Sequence, residues 1–224
     1  MKIAFVSDIH SNLEALNAVL TKIDSLGIRQ IYCLGDVVGY ATSPCECLEI
    51  IKELKIPYIM GNHELAVLSK GTSDLNPMAA AAINWTIKQM KEEDLDYISK
   101  LEDRMILRIK NQRVLLVHGS PSNPIKEYVY EQDVNENFLK DYGAIVMGHT
   151  HIPFVKSFGE RLAINCGAVG QPRDRNNKAS FAVIDDESFT AEIIRVEYDP
   201  SITAEKIIKT GLPEFLAQRL FLGI

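Results

Sequence analysis

Two rhythms of apolar residues run along this chain, and their alternation predicts its elements. Ile3 to Ser7 is an almost unbroken apolar run, the pattern of a strand covered on both faces. Leu13, Leu16, Val19, Leu20 and Ile23 then recur at helical spacing, with Ser11 and Glu14 placed as a capping box and Gly27 as the stop. The cycle repeats. Gln30 to Leu34 reads as a strand, Ser43-Pro44-Cys45-Glu46 as a second capping box opening a helix to about Leu54, and Ile56 to Met60 as a third strand. Strands alternating with helices predict parallel pairing with right-handed crossovers.

Helical signals dominate the middle: Asn76-Pro77 caps a segment through about Met90, and a short helix is expected over 92–100. From Arg104 the strand rhythm returns. Met105 to Ile109 and Val114 to Val117 read as a hairpin around Lys110 to Arg113; a polar loop follows from Ser120 to Tyr130, then a helix near Gln132 to Asp141 and a strand at Ala144 to Met147. Four further runs (154–158, 162–166, 180–184, 191–196) are spaced as in an antiparallel sheet, and helices start near Pro200 and Pro213. The fold class is α/β. One domain over 1–224 is expected, with a helical insertion at about 65–100 and C-terminal helices at about 200–222.

Composition narrows the class. With 46% hydrophobic and 24% charged residues the chain is an ordinary globular one, and a net charge of -6 offers no basic field for nucleic acid or an anionic membrane. No specific nucleic-acid partner and no membrane association are expected. Cys33, Cys45, Cys47 and Cys166 form neither a Cys-x-x-Cys pair nor a secreted-domain framework, and Met1-Lys2-Ile3 runs straight into a strand; a reduced, cytoplasmic protein is expected.

The chemistry gathers at strand ends. All five histidines follow apolar runs and lie beside Asp, Asn, Gly or one another: Asp8-Ile9-His10, Gly61-Asn62-His63-Glu64, His118-Gly119 and Gly148-His149-Thr150-His151, with Gly35-Asp36 ending the second strand in the same way. Parallel strands share a carboxyl edge, where α/β folds bind ligands, so these groups are expected to converge. Imidazole mixed with carboxylate and no thiolate suits Mn, Fe, Ni, Co or Zn. About eight donors are too many for one tetrahedral ion and suit two ions sharing a carboxylate.

Asp8-x-His10, Gly35-Asp36, Gly61-Asn62-His63-Glu64, His118 and Gly148-His149-x-His151, in this order, resemble the motif set of the calcineurin-like metallophosphoesterases. The compact chain is most similar to their small prokaryotic branch of phosphodiesterases and diadenosine-tetraphosphate hydrolases. The resemblance covers about residues 1–172. It implies a four-layer αββα sandwich of two mixed sheets flanked by helices. It implies that Asp8, His10 and His151 hold a first divalent ion, that Asp36 bridges, and that Asn62, His118 and His149 complete a second site, with manganese the favoured metal. His63 is then no ligand but faces the leaving group as general acid or transition-state stabiliser, and the nucleophile is a hydroxide bridging the ions.

Two positions depart from the family pattern. Glu64 stands where Asp is common, its support of His63 being an expectation, and Ser11 stands where Gly is usual. Tyr40 and Arg173 are candidates for contact with substrate. The expected activity is hydrolysis of phosphodiester, phosphomonoester or phosphoanhydride bonds in small, nucleotide-type phosphorylated substrates. A phosphoserine/phosphothreonine protein phosphatase and a non-catalytic metal-bound scaffold stay open as alternatives, as does a homo-oligomer.

Overall fold

The computed structural model describes residues 1–73 and 75–224. The first half contains β1 (Lys2–Val6), α1 (Leu13–Ser25), β2 (Gln30–Cys33), α2 (Pro44–Glu53), α3 (Asn62–Ser69), α4 (Pro77–Gln89) and α5 (Glu92–Ser99). The second contains β3 (Arg104–Ile109), β4 (Gln112–Val117), β5 (Ala144–Met147), β6 (Phe154–Phe158), β7 (Arg161–Asn165), β8 (Ala179–Asp185), β9 (Thr190–Val196), α6 (Pro200–Lys209) and α7 (Phe215–Leu222).

The strands form two mixed sheets, ordered β2-β1-β8-β9 and β3-β4-β5-β7-β6. In the first, β1 runs parallel to β2 and antiparallel to β8; in the second, β4, β5 and β7 are parallel neighbours. Strand alternation divides the core. Ile3 and Phe5 of β1 meet Val114, Leu116, Ala144, Val146 and Ile164 between the sheets, whereas Ala4 and Val6 face Leu16, Val19, Leu48 and Ile51 of the helices outside. This is the α/β sandwich, with sheets face to face, that the sequence led us to expect. On the far side of the second sheet, Leu115, Val117, Ile145 and Met147 pack on Val129, Val134 and Leu139.

Local expectations fail in four places. The N-cap of α1 is Asn12, whose side chain accepts from the Ala15 amide; Ser11 is held at φ +56° as the chain swings round from His10, which removes it from capping geometry. Glu14 instead pairs with Lys206 and Thr203 of α6. Ser43 is the N-cap of α2 but makes no side-chain capping bond. Residues 56–60 do not form a full strand: Cys33 accepts from Ile59 and donates to Pro57, one bridge to Tyr58 results, and Pro57 has no amide to extend the ladder. The expected helix near Gln132 to Asp141 is two short 3-10 turns, Glu131–Asp133 and Glu136–Leu139. Asp133 and Asn135 capture the amides of Tyr130 and Phe138 and interrupt it.

Candidate metal centre

Both sheets deliver their chemistry to one edge. Asp8 and His10 follow β1, Asp36 follows β2, His118 follows β4, and His149 and His151 follow β5. Asn62 and His63 open α3, and all of these acids and imidazoles are buried. Reaching this edge takes an unusual backbone. Asp8, His10, Asp36, Tyr40, His149 and His151 all have φ between +50° and +67°, a left-handed conformation that costs a side-chain-bearing residue roughly 1 kcal/mol or more. Such strain persists only where surrounding structure enforces it.

Three overlapping sets of donors result: Asp8, His10 and His151; His10, Asp36 and His63; Asp36, His118 and His149. Four imidazoles share one arrangement. His10 Nδ1 lies 3.2 Å from the Val38 carbonyl, His118 Nδ1 2.8 Å from that of Leu34, His149 Nε2 3.2 Å from that of Lys126, and His151 Nδ1 2.5 Å from that of Gln171. Donation to those carbonyls fixes each ring's tautomer and turns the other nitrogen's lone pair inward. The inward nitrogens of His10 and His151 then face each other at 3.1 Å, as do those of His118 and His149. Two lone pairs at that distance repel unless a proton or a cation lies with them. The donor set therefore fits divalent ions.

The carboxylates complete it. Asp8 Oδ1 is 3.1 Å from His151 Nε2 and 3.6 Å from His10 Nε2; Asp36 Oδ2 is 3.3 Å from His118 Nε2 and 3.7 Å from His10 Nε2. Asn62 Oδ1 sits 3.0 Å from His118 Nε2. His63 differs from the other four. Its backbone N–H donates to Asp36 Oδ1 at 2.8 Å and its Nε2 is 3.9 Å from Asp36 Oδ2, but its buried Nδ1 has no partner among the described residues.

Glu64 lies beneath the site rather than against the His63 ring. Its carboxylate accepts four amides: Gly61 and Asp36 on Oε2 (2.9 and 2.8 Å), Val37 and Val38 on Oε1 (2.9 and 3.2 Å). Gly61 itself is extended at φ -103°, so it is not needed for a sharp turn. It is needed for proximity, because a Cβ there would collide with Asp36.

Electrostatics follow from burial and neighbours. Burial opposes charge on Asp8 and Asp36, yet the imidazoles around them hold both carboxyls below their usual range. Burial also works against charge on His118, but Asp36 and Asp8 outweigh it and lift that imidazole to about 10. Burial and the His118 charge depress His149 to about 4, and burial with Arg173 depresses His151 to about 3. Since His118 is raised, the metal-free site keeps a proton there below about pH 10. An incoming cation must displace it. Manganese affinity of the metal-free protein should therefore rise about tenfold per pH unit between pH 7 and 9, with about one proton released per chain, measured calorimetrically in buffers of different ionisation heat.

A cavity of about 60 Å³ opens onto the cluster, lined by Asp36, Asn62, His63, His149 and His151 and also by Tyr40, Tyr128 and Arg173. The structure thus brings every sequence-derived candidate to one place. Tyr128 was not among them: its ring stacks on His149, centroids 3.9 Å apart, from a loop whose sequence carries only turn signals.

Comparison with known proteins agrees with this chemistry. The sequence profile of the calcineurin-like phosphoesterase superfamily domain matches residues 1–188. A protein from Methanocaldococcus jannaschii is 45% identical over 99% of this chain and 98% of its own. The crystal structure of a metallophosphoesterase from Sphaerobacter thermophilus superposes with a TM-score of 0.86 at 35% identity, covering 100% of this chain and 99% of that one. The phosphodiesterase YfcE of Escherichia coli is 26% identical over 93% of this chain and 98% of its own. The chain belongs to the calcineurin-like phosphoesterase superfamily, within its small prokaryotic branch, and is a metal-dependent phosphoesterase.

Proposed function

We propose that this chain is a two-metal, cytoplasmic hydrolase of phosphoester or phosphoanhydride bonds in small phosphorylated substrates. The observation that carries the proposal is the set of four imidazoles, each tied outward to a backbone carbonyl and grouped on its inner side with Asp8 or Asp36 in one donor set. Asp8, His10 and His151 would hold one divalent ion, Asn62, His118 and His149 the other, with Asp36 between. Bound there, manganese or a similar ion supplies an acidic water as nucleophile and positive charge for phosphoryl oxygens.

His63 has a different task. Its ring lacks the carbonyl anchor that the other imidazoles share, so nothing commits its nitrogens to a ligand's role. Burial drives its pKa well below the usual range, which keeps the ring neutral at physiological pH. A neutral imidazole still carries one N–H, and His63 presents it to the leaving-group oxygen as charge develops there. Alanine at position 63 should lower kcat by roughly 10² to 10⁴-fold while metal content, counted by mass spectrometry, stays near that of the parent.

Metal-dependent release of nitrophenol from p-nitrophenyl phosphate or bis-p-nitrophenyl phosphate, with added manganese or nickel, tests the function. Protein shown to bind the metal but releasing nothing from either ester would overturn it.

A further inference from the structure

Among the described residues, a pair of arginines beside the metal centre has no acidic side-chain partner. Arg173 follows the loop that carries Gln171, and Arg219 comes from α7, outside the residues matched by the family profile. Both guanidiniums pack against the ring of Tyr40, with Cζ 5.6 Å and 5.8 Å from its centroid. That ring lies 4.7 Å from the rings of His10 and His63, so this arginine pair adjoins the reaction site.

Like charges are here held together in a half-buried place. Among the described residues neither arginine pairs with an acidic side chain, and Asp174, which follows Arg173 directly, is occupied by Arg195. Arg173 Nη2 donates to the Tyr40 hydroxyl (3.2 Å) and Gln171 Oε1 (3.0 Å), while its Nε is buried without an acceptor. Arg219 Nε donates to the main-chain oxygen of Ile224 at 2.6 Å, a bond that engages only this one nitrogen of the guanidinium. Burial and the Arg173 charge lower Arg219 to about 10, still charged at neutral pH. Cations in this arrangement attract an anion, and the planar forks suit phosphate oxygens.

The pair is built into the fold. The Arg175 amide donates to the Gly223 carbonyl at 2.8 Å, and Gly223, at φ +65°, approaches Asn176 so closely that a Cβ would meet that residue's backbone. The C-terminal end of α7 is thereby pinned to the segment that carries Arg173. Leu216, Ala217 and Leu220 pack with Tyr40 in one apolar cluster and set the face from which Arg219 extends.

We propose that Arg173 and Arg219 form an anion subsite that takes a second phosphoryl group, one that is not hydrolysed. This rests on the phosphoesterase reading above and deepens it. The favoured substrates are esters or anhydrides carrying another phosphate a few bonds from the scissile one. The Tyr40 ring, which both guanidiniums approach, gathers them in one place, and Arg173, which lines the catalytic cavity, connects the subsite with the metal cluster.

The test uses manganese-loaded protein and two probes of equal chain length, propylphosphonate and propane-1,3-diylbisphosphonate, with dissociation constants measured by calorimetry. The parent should bind the bisphosphonate about tenfold more tightly, the worth of a charge-assisted hydrogen bond. Arg219→Gln should narrow that preference to within about twofold, and Arg219→Lys, which keeps charge without the fork, should fall between. Each preference is a ratio within one preparation, so a smaller folded fraction cancels, and the lysine variant preserves the comparison should the glutamine variant not fold. Equal binding of the two probes by the parent, or an unchanged preference in both variants, would overturn the subsite. Calorimetry needs no turnover, so failure of the hydrolytic reading is detected separately with p-nitrophenyl phosphate.

Discussion

Asp36→Asn should leave a folded protein that binds metal poorly and turns over far more slowly. Asparagine has the same shape, and its amide oxygen can still accept the His63 backbone N–H that Asp36 Oδ1 accepts at 2.8 Å. What changes is the other atom. Asp36 Oδ2 lies within 3.9 Å of His10, His63 and His118, in the middle of the overlapping donor sets, and an NH₂ group there would offer hydrogens where cations need an anion. Metal content should fall to less than half the parent value. Loss of roughly 4 kcal/mol of transition-state stabilisation corresponds to a drop of about a thousandfold in kcat/KM. Full metal content with the same kinetic loss would show that Asp36 acts in the chemistry without holding the ions.

Glu64→Ala should destabilise the fold strongly although Glu64 itself is no member of the donor cluster. Glu64 is fully buried, and its two oxygens accept the amides of Gly61, Asp36, Val37 and Val38. Alanine would strand four donors, each worth roughly 1 kcal/mol or more when left buried and unpaired. An unfolding free energy lower by about 3 to 5 kcal/mol is expected from urea denaturation. Activity should fall with it, because the segment these bonds hold carries Asp36 and the Val38 carbonyl that fixes the His10 ring. A stability change under about 1 kcal/mol would mean that water replaces the carboxylate at little cost.

These two residues show what the sequence could and could not reveal. Asp36 was legible because its position after an apolar strand is a matter of period and punctuation, which a single chain records. The same holds for Asp8, His10, His118, His149 and His151, whereas the division of the strands into two mixed sheets was implied by the family resemblance alone: the four late runs, spaced as in an antiparallel sheet, are shared between both sheets. Glu64 was harder. Its value lies in four amides from two segments, 36–38 and 61, and no local pattern encodes that convergence. Arg219 was hidden among the apolar repeats of a helix that reads only as packing. The interrupted helix at 131–139 and the unused cap at Ser11 failed differently: there local hydrogen bonds and a forced left-handed backbone overrode the propensity of the segment.

The left-handed residues also bear on how such a chain can change. Glycine would occupy these conformations without penalty, so selection for folding stability alone would erase Asp8, His10, Asp36, His149 and His151 from positions where they strain the backbone. Several kilocalories per mole of the core's surplus is in effect mortgaged to hold them. A descendant relieved of its catalytic duty would therefore gain stability as it lost its ligands, drifting easily toward a sturdy, inert sandwich. Return from that state would require the core to strengthen before the site could be rebuilt.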